Sequence, residues 1–491
     1  MKMFNQPKRL HPISVLTSFL KQLKEMLLPI IVVTIFGGGG ADRGIFSFSI
    51  PIVFFTLTLV FGVVNWLRFT YRIEENELRI ESGVFVRKKR YIPFERIQSL
   101  DQTEGLLHRA FGLVKLKVET AGGSTSKEAE AELGAITREE ANQIQMVLSD
   151  SKNAYKETEE EIIPEQFLIY KITFKDLVVL AITSGGTGVI LSAIFAVLLQ
   201  LDEIIPYKML YHQFEDLIAN GIISVITLVM IGLLIVWIMA FIGTLFKYGN
   251  FTVIKTKDDL IITRGLIEKR QITVPLNRIQ AIRITQNLVK EPFGYASVFV
   301  ESAGGSSVKG EQAKVILLPV VKRREIPKIF GEWLPSYHFN SRINPIPKRA
   351  LSRYIWKGWL YSLPVMIIPG LFFKPWGWLT LLLVLPVTFI QYLNYRAAGW
   401  GIDDHQLTLQ YRNLTKNTVY MNKGKIQSIN LNKSYFQRNK QLSTIHALIK
   451  SGHGESGGRV VDLELDDATQ IYQWFSFDKK NNHLSNDKIG G

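Results

Sequence analysis

The sequence predicts α-helical membrane hairpins alternating with three small α+β domains, each an antiparallel β structure closed by one C-terminal helix. Three observations carry that prediction. Hydrophobic residues make up 47% of the 491 and gather into six long runs that come in pairs. A long polar region follows each pair, and the first two of these regions match each other without a gap at an offset of 182 residues. Only 21% of the residues are charged and the mean hydropathy is +0.12, too apolar for a disordered or fibrous chain. Cysteine is absent, which excludes a disulfide scaffold, a thiolate zinc site, an iron–sulfur cluster and a cysteine nucleophile.

In chain order, His11–Glu25 places Val15, Leu16, Phe19 and Leu23 at helical spacing with Lys21 and Lys24 opposite, the pattern of an interfacial amphipathic helix. The apolar pairs follow: Met26–Phe36 with Ile45–Leu67, Leu177–Leu199 with Ile222–Leu245, and Trp359–Phe373 with Trp378–Leu393. A bilayer core takes about 20 apolar residues per helix, so six spans in three hairpins are expected. Before the first span stand five basic residues and one acid, whereas the loop of the second hairpin carries Asp202, Glu203, Glu215 and Asp216 against Lys208 alone. By the positive-inside rule, both termini and the three polar regions are cytoplasmic. The net charge of +15 fits either nucleic acid or an anionic membrane; the clustered apolar runs select the membrane. None of the six spans contains Asp, Glu, Lys or Arg, which argues against a proton- or ion-coupled transporter.

The polar regions repeat. Gly83 matches Gly265, Pro93 matches Pro275, Arg96-Ile97-Gln98 matches Arg278-Ile279-Gln280, and Phe111-Gly112 matches Phe293-Gly294. Glu119-Thr120-Ala121-Gly122-Gly123 matches Glu301-Ser302-Ala303-Gly304-Gly305. The third copy keeps Lys425-Ile426-Gln427 but has Arg412 in place of the first glycine and Asn422 in place of the proline. Glu77–Glu81 and Val114–Val118 alternate as half-buried strands do. Thr137 and Glu140 form a capping box ahead of a helix over Ala141–Leu148, and Asp466 or Asp467 is placed to cap one over Ala468–Phe475.

Strands closed by one helix, together with the repeated string from Ile92-Pro93 to Gly122-Gly123, resemble the bacterial membrane-associated pleckstrin-homology (PH) family. The layout of three such domains and three hairpins looks like the YdbT-type proteins of Firmicutes. The resemblance implies antiparallel PH-like β-barrels with a C-terminal helix, a multi-pass plasma-membrane location, and a neighbouring small membrane protein with a single PH-like domain. It also implies a link to envelope stress and antimicrobial-compound resistance, and supplies no catalytic residue and no cofactor. The expected organisation is an amphipathic helix and hairpin over 11–67, PH-like domains over 68–150, 247–335 and 396–477, hairpins over 177–246 and 356–395, and a polar tail over 478–491.

Candidate contacts to lipid or partner are mostly basic. Arg87-Lys88-Lys89-Arg90 is the densest cluster, on a turn between two early strands, and juxtamembrane clusters of this kind attract anionic headgroups. Lys269 and Arg270 occupy the corresponding turn of the second unit. The net charges of 68–176, 247–353 and 396–491 are −3, +11 and +4, so Lys322, Arg323 and Arg324 extend a basic middle domain. Arg96 with Gln98, Arg278 with Gln280, and Lys425 with Gln427 recur in all three units; they either grip a phosphate or partner peptide or bond to neighbouring backbone. Nucleic-acid binding is disfavoured, because stacking aromatic motifs are missing and the domains are tethered at the bilayer. Gly454-Glu455-Ser456-Gly457-Gly458 matches the G-x-S-x-G elbow, but Arg459–Leu465 reads as a strand where that motif needs a helix. The resulting expectation is a non-enzymatic scaffold at the inner face of the plasma membrane, with a peptide or lipid exporter, or a membrane signalling regulator, as alternatives.

Overall fold

The computed structural model describes residues 6–20, 22–23, 46–120, 131–153, 167–183, 222–303, 314–372, 376–451 and 456–476. These residues form two compact units. One holds the described residues up to Leu168 together with Asn250–Pro275; the other holds the remainder.

In the first unit, the helix Phe46–Arg68 leads into strands β1 (Thr70–Glu74), β2 (Glu77–Ser82) and β3 (Lys88–Pro93), which form one antiparallel sheet. A single 3₁₀ turn, Phe94–Arg96, passes the chain to β4 (Ile97–Glu104), β5 (Leu113–Thr120) and β6 (Ala131–Thr137), and the helix Arg138–Asn153 closes the domain. The alternation seen in the sequence is the alternation of burial: Tyr71, Leu78, Ile80, Ile92, Leu116, Val118 and Leu133 share one core with Phe94 and Ile144. Burying each such side chain contributes about 1.5–3 kcal/mol. The capping box forms as expected, with Thr137 Oγ1 accepting from Glu140 N at 3.2 Å and Glu140 accepting from Thr137 N at 3.3 Å, and the helix starts three residues earlier than expected. Glu140 also accepts from Lys8 Nζ at 2.8 Å and Tyr71 Oη at 3.1 Å.

Residues 13–20 are helical and are tied to both the domain and the apolar helix. Ile13 is buried with Leu113 and Ala135, while the Phe19 ring meets Phe55 of the apolar helix at 6.2 Å. Trp66 Nε1 donates to Leu10 O at 2.7 Å.

The expected closed barrel gives way to open sheets. β4 is paired on its far side with β10 (Lys269–Pro275), which continues through β9 (Asp259–Arg264) to β8 (Thr252–Lys255), all strands of the second repeat. The physical reason is that β4 spends its second edge on the next repeat, so it is not available to close its own domain.

The second unit uses the same device. After β7 (Phe167–Lys171), whose last residues lie in this unit, and the helices Phe174–Thr183 and Ile222–Tyr248, come β11 (Ile279–Gln286), β12 (Tyr295–Ser302) and β13 (Lys314–Lys322). β11 pairs with β17 (Lys416–Asn422) of the third repeat, followed by β16 (Gln406–Arg412), β15 (Gly399–Asp403) and the short β14 (Asn344–Pro345). A separate sheet of β18 (Ile426–Asn432), β19 (Leu442–Ile449) and β20 (Ser456–Glu464), with the helix Leu465–Ser476, completes the third repeat around Leu407, Leu409, Val419, Ile445, Val460 and Ile471. Asp466 and Asp467 both lie within the first turn of that helix and do not precede it as a cap would, and Asp467 accepts from Trp400 Nε1 at 3.1 Å.

Three helical stretches among the described residues are long and apolar enough to cross a membrane: Met230–Tyr248, Lys348–Phe372 and Gly377–Ala397. Phe46–Arg68 is helical over 23 residues. The third hairpin's first run is longer than expected, because its helix begins at Leu351 and includes Arg353 and Lys357. The run Met26–Phe36, residues 184–199 of the run that starts at Leu177, and the tail 478–491 lie outside the described residues.

Candidate functional site

The basic turn of the first repeat is built on Gly83. Its φ is +113°, and a Cβ there would sit 2.1 Å from Val86 O, so only glycine lets the chain reverse after β2. The tip that follows is apolar: Phe85 is 91% exposed and Val86 69%. Two contacts hold this tip against the end of the apolar helix Phe46–Arg68. The Phe85 ring stacks on Phe61 at 6.3 Å, and Arg68 Nη1 donates to Val84 O at 2.6 Å. Arg87, Lys88, Lys89 and Arg90 then climb away from the tip, all exposed. Arg87 pairs with Glu81, and Lys89 Nζ lies 3.8 Å from the same carboxylate, so one acid faces two of the cations.

Phe85 and Val86 are the residues sequence reasoning passed over. Their signal was present: two large apolar side chains at a turn, directly before four basic residues, where a solvated turn would carry polar ones.

The corresponding turn of the second repeat uses Gly265 in the same way, at φ +104°. Its surroundings differ. Leu266 O accepts from Arg109 Nη1 at 3.2 Å, Arg270 pairs with Glu268 at 2.9 Å, and Lys269 stands across from Glu104 in the β10–β4 register. The structure thus places Lys269 and Arg270 at a junction between repeats. In the third repeat Arg412 replaces the glycine, is buried and pairs with Glu291, and the loop shortens to the three residues between Arg412 and Lys416.

Lys322 and Arg324 are exposed at the end of β13, and Arg323 is half-buried there beside Tyr420. Each recurring basic–Ile–Gln triplet starts on the last residue of a one-turn 3₁₀ element and runs into the strand that follows. Gln280 is buried and donates to Arg278 O at 3.0 Å, and Lys425 Nζ reaches Asn277 O at 3.0 Å. Both bonds go to backbone, one within a turn and one between repeats. Arg96 and Gln427 are exposed, the latter lining an open groove of about 920 Å³ with His338, Asp403, His405 and Tyr472; the Gln98 side chain lies outside the described residues. Ser456 begins strand β20 and donates to Glu301 at 2.6 Å, so no helix follows it as a nucleophile elbow requires.

Electrostatically the two repeat junctions are opposites at one position. Asp101 on β4 is buried beside Glu119; burial first, then that carboxylate, push its carboxyl up to about 8, partly countered by the Thr273 backbone N–H and Lys117. The matching residue on β11 is Arg283, buried and donating to Glu301, to Tyr411 Oη at 2.5 Å and to Gly457 O at 2.6 Å.

Apolar helices followed by paired small sheets with a closing helix, and a basic turn fastened to a helix end, define a membrane-anchored tandem of PH-like modules. The chain belongs to the bacterial PH domain family, which matches residues 20–152, 190–332 and 360–478. It is 38% identical over 493 residues to the UPF0699 transmembrane protein YdbT of Bacillus subtilis (strain 168), covering 97% of this chain and 99% of that protein. The UPF0699 transmembrane protein YdbS of the same organism is 30% identical over 79 residues, 16% of this chain and 46% of that protein. The family is defined by a structural module and not by a reaction.

Proposed function

We propose that this membrane protein is a non-enzymatic scaffold at the inner face of the plasma membrane, with six spans and cytoplasmic termini, whose first PH-like domain rests in the headgroup layer. One observation carries the reading: the exposed Phe85 and Val86, fastened to the end of an apolar helix and followed by Arg87-Lys88-Lys89-Arg90. Apolar side chains at the headgroup boundary gain by leaving water, and each basic residue near an anionic surface adds about 1 kcal/mol. The scaffold acts with a small membrane protein carrying a single PH domain, of the kind the YdbS likeness represents, and contributes to resistance against membrane-active compounds.

The absence of cysteine makes the test direct. Val86→Cys carrying an environment-sensitive dye, in full-length protein reconstituted into vesicles with anionic lipid, should be quenched by headgroup-level spin-labelled lipid and shielded from iodide. Replacing Lys88, Lys89 and Arg90 by Ala should make that quenching indifferent to anionic lipid. A dye quenched by iodide alone would remove the headgroup reading. For the biological role, a deletion strain should become sensitive to membrane-active peptides and recover with the intact gene; indifference to every compound would sink it.

A further inference from the structure

The two repeat junctions are the same junction. Glu104 and Gln286 hold the same place in their repeats, as do Lys269 and Lys416, and the strands pair with Glu104 opposite Lys269 and Gln286 opposite Lys416. Each β4-type strand therefore joins the β3-type strand of the next repeat in one fixed antiparallel register.

That rule leaves one acceptor edge over. β3 is the counterpart of β10 and β17, with Arg87 at the place of Lys269 and Lys416. Among the described residues β3 is paired on one side only, with β2, and Lys88, Lys89, Arg90 and Tyr91 are exposed. An open edge offers a row of backbone donors and acceptors ready for another strand.

We propose that the open edge of β3 receives the β4-type strand of a second, separate bacterial PH-domain chain, one that brings carboxylates to this edge. The inference rests on the partner reading above and names its surface. Charge selects the occupant. Within the chain, the basic residue at this register meets an acid each time: Lys269 is opposite Glu104, and Lys416 Nζ lies 3.5 Å from Glu291. β3 carries more positive charge than either, and Glu81 alone faces Arg87 and Lys89. A second copy of this chain is the wrong occupant. Its only free donor among the described residues is β18, which is followed by Lys433 at the place opposite Arg87, where the first repeat has Glu104 and the second Gln286. Like charges directly opposed across strands are destabilising. The same four cations disfavour a basic strand at the edge, which protects a molecule that would otherwise chain head to tail without closing.

The test uses full-length protein in neutral detergent, where no anionic headgroup competes, with a purified YdbS-type single-PH-domain protein as the probe. Hydrogen exchange should show new protection across Lys88–Tyr91 on mixing. Adjacent strand residues point their N–H groups to opposite sides, so of Lys89→Pro and Arg90→Pro one should abolish binding by removing an outward donor. Lys88→Glu with Lys89→Glu should weaken binding about tenfold or more. Binding that leaves Lys88–Tyr91 unprotected and survives both proline variants would overturn the edge while leaving the partner reading in place. No binding at all would overturn both. Protection of β3 in the isolated chain at high concentration, strengthened by Lys433→Glu, would make a second copy the occupant and defeat the proposal.

Discussion

Asp101 shows how one residue sets a pH dependence. It is 4% exposed, and its carboxyl sits at about 8 against an ordinary 3.8, so the folded state holds the neutral form. A group raised in this way gives its full stabilising contribution below the unfolded value and loses it as pH climbs through the folded one. The first unit should therefore lose thermal stability between about pH 4 and pH 8, and Asp101→Asn, which cannot ionise, should flatten that slope; an unchanged slope in scans across this window would rule Asp101 out. The buried acid of the second unit is Glu301, the counterpart of Glu119. Fully buried and held by Arg283, it should cost about 3–5 kcal/mol when changed to Ala, because an uncompensated guanidinium remains inside. The sequence marked Glu119 and Glu301 as repeated positions but was silent on Asp101 and Arg283, whose burial comes from a strand of another repeat.

At the scale of elements, the ties between helices and sheets set what moves together. Asp462 on β20 is completely buried, sits at φ +60°, and accepts from Arg353 Nε at 3.0 Å, Lys357 Nζ at 3.3 Å and Gln437 Nε2 at 2.7 Å. The two cations stand on the first turns of the helix Leu351–Phe372, so this carboxylate fastens a candidate span to its domain. Asp462→Ala should cost about 3 kcal/mol and loosen that helix start, read as faster hydrogen exchange over Ser352–Lys357. Unchanged exchange there would show that packing alone holds the joint. The strands themselves were legible, because one buried and one wet face leave a period of two in β1, β2 and β5. Their partners were not. A shared sheet edge is made by backbone groups that every residue carries, so nothing in the side-chain pattern reports that β4 turns to β10 in preference to closing a barrel.

For the whole molecule, the border between units falls inside the second repeat, after Pro275. A fragment ending at residue 176 follows the repeat boundary yet leaves the β4 edge bare, and it should self-associate in detergent; one ending near residue 278 retains β8–β10 on that edge and should run as a single species by size-exclusion chromatography. The opposite ranking would mean that repeats, not units, are the stable bodies. The first two repeats were readable from the 182-residue offset, the third from its retained Lys425-Ile426-Gln427, and the helix Ile222–Tyr248 and the hairpin after Leu351 from their apolar runs. The tip after Gly83 was half readable, its charges plain and its Phe85 overlooked, because two apolar residues make no periodic signal.

The fixed register at the junctions also bears on how such a chain grows or shrinks over generations. If the middle repeat were lost by recombination between equivalent positions, β4 would meet β17, with Glu104 opposite Lys416 and no strand displaced to the wrong face. Gaining a copy would be equally undemanding, since every newcomer offers one donor strand and one acceptor strand already cut to the same pattern. Such a change in copy number would keep the backbone register of every junction, and what each new junction would have to accommodate is the buried group at its centre, an acid at Asp101 in one and a guanidinium at Arg283 in the other.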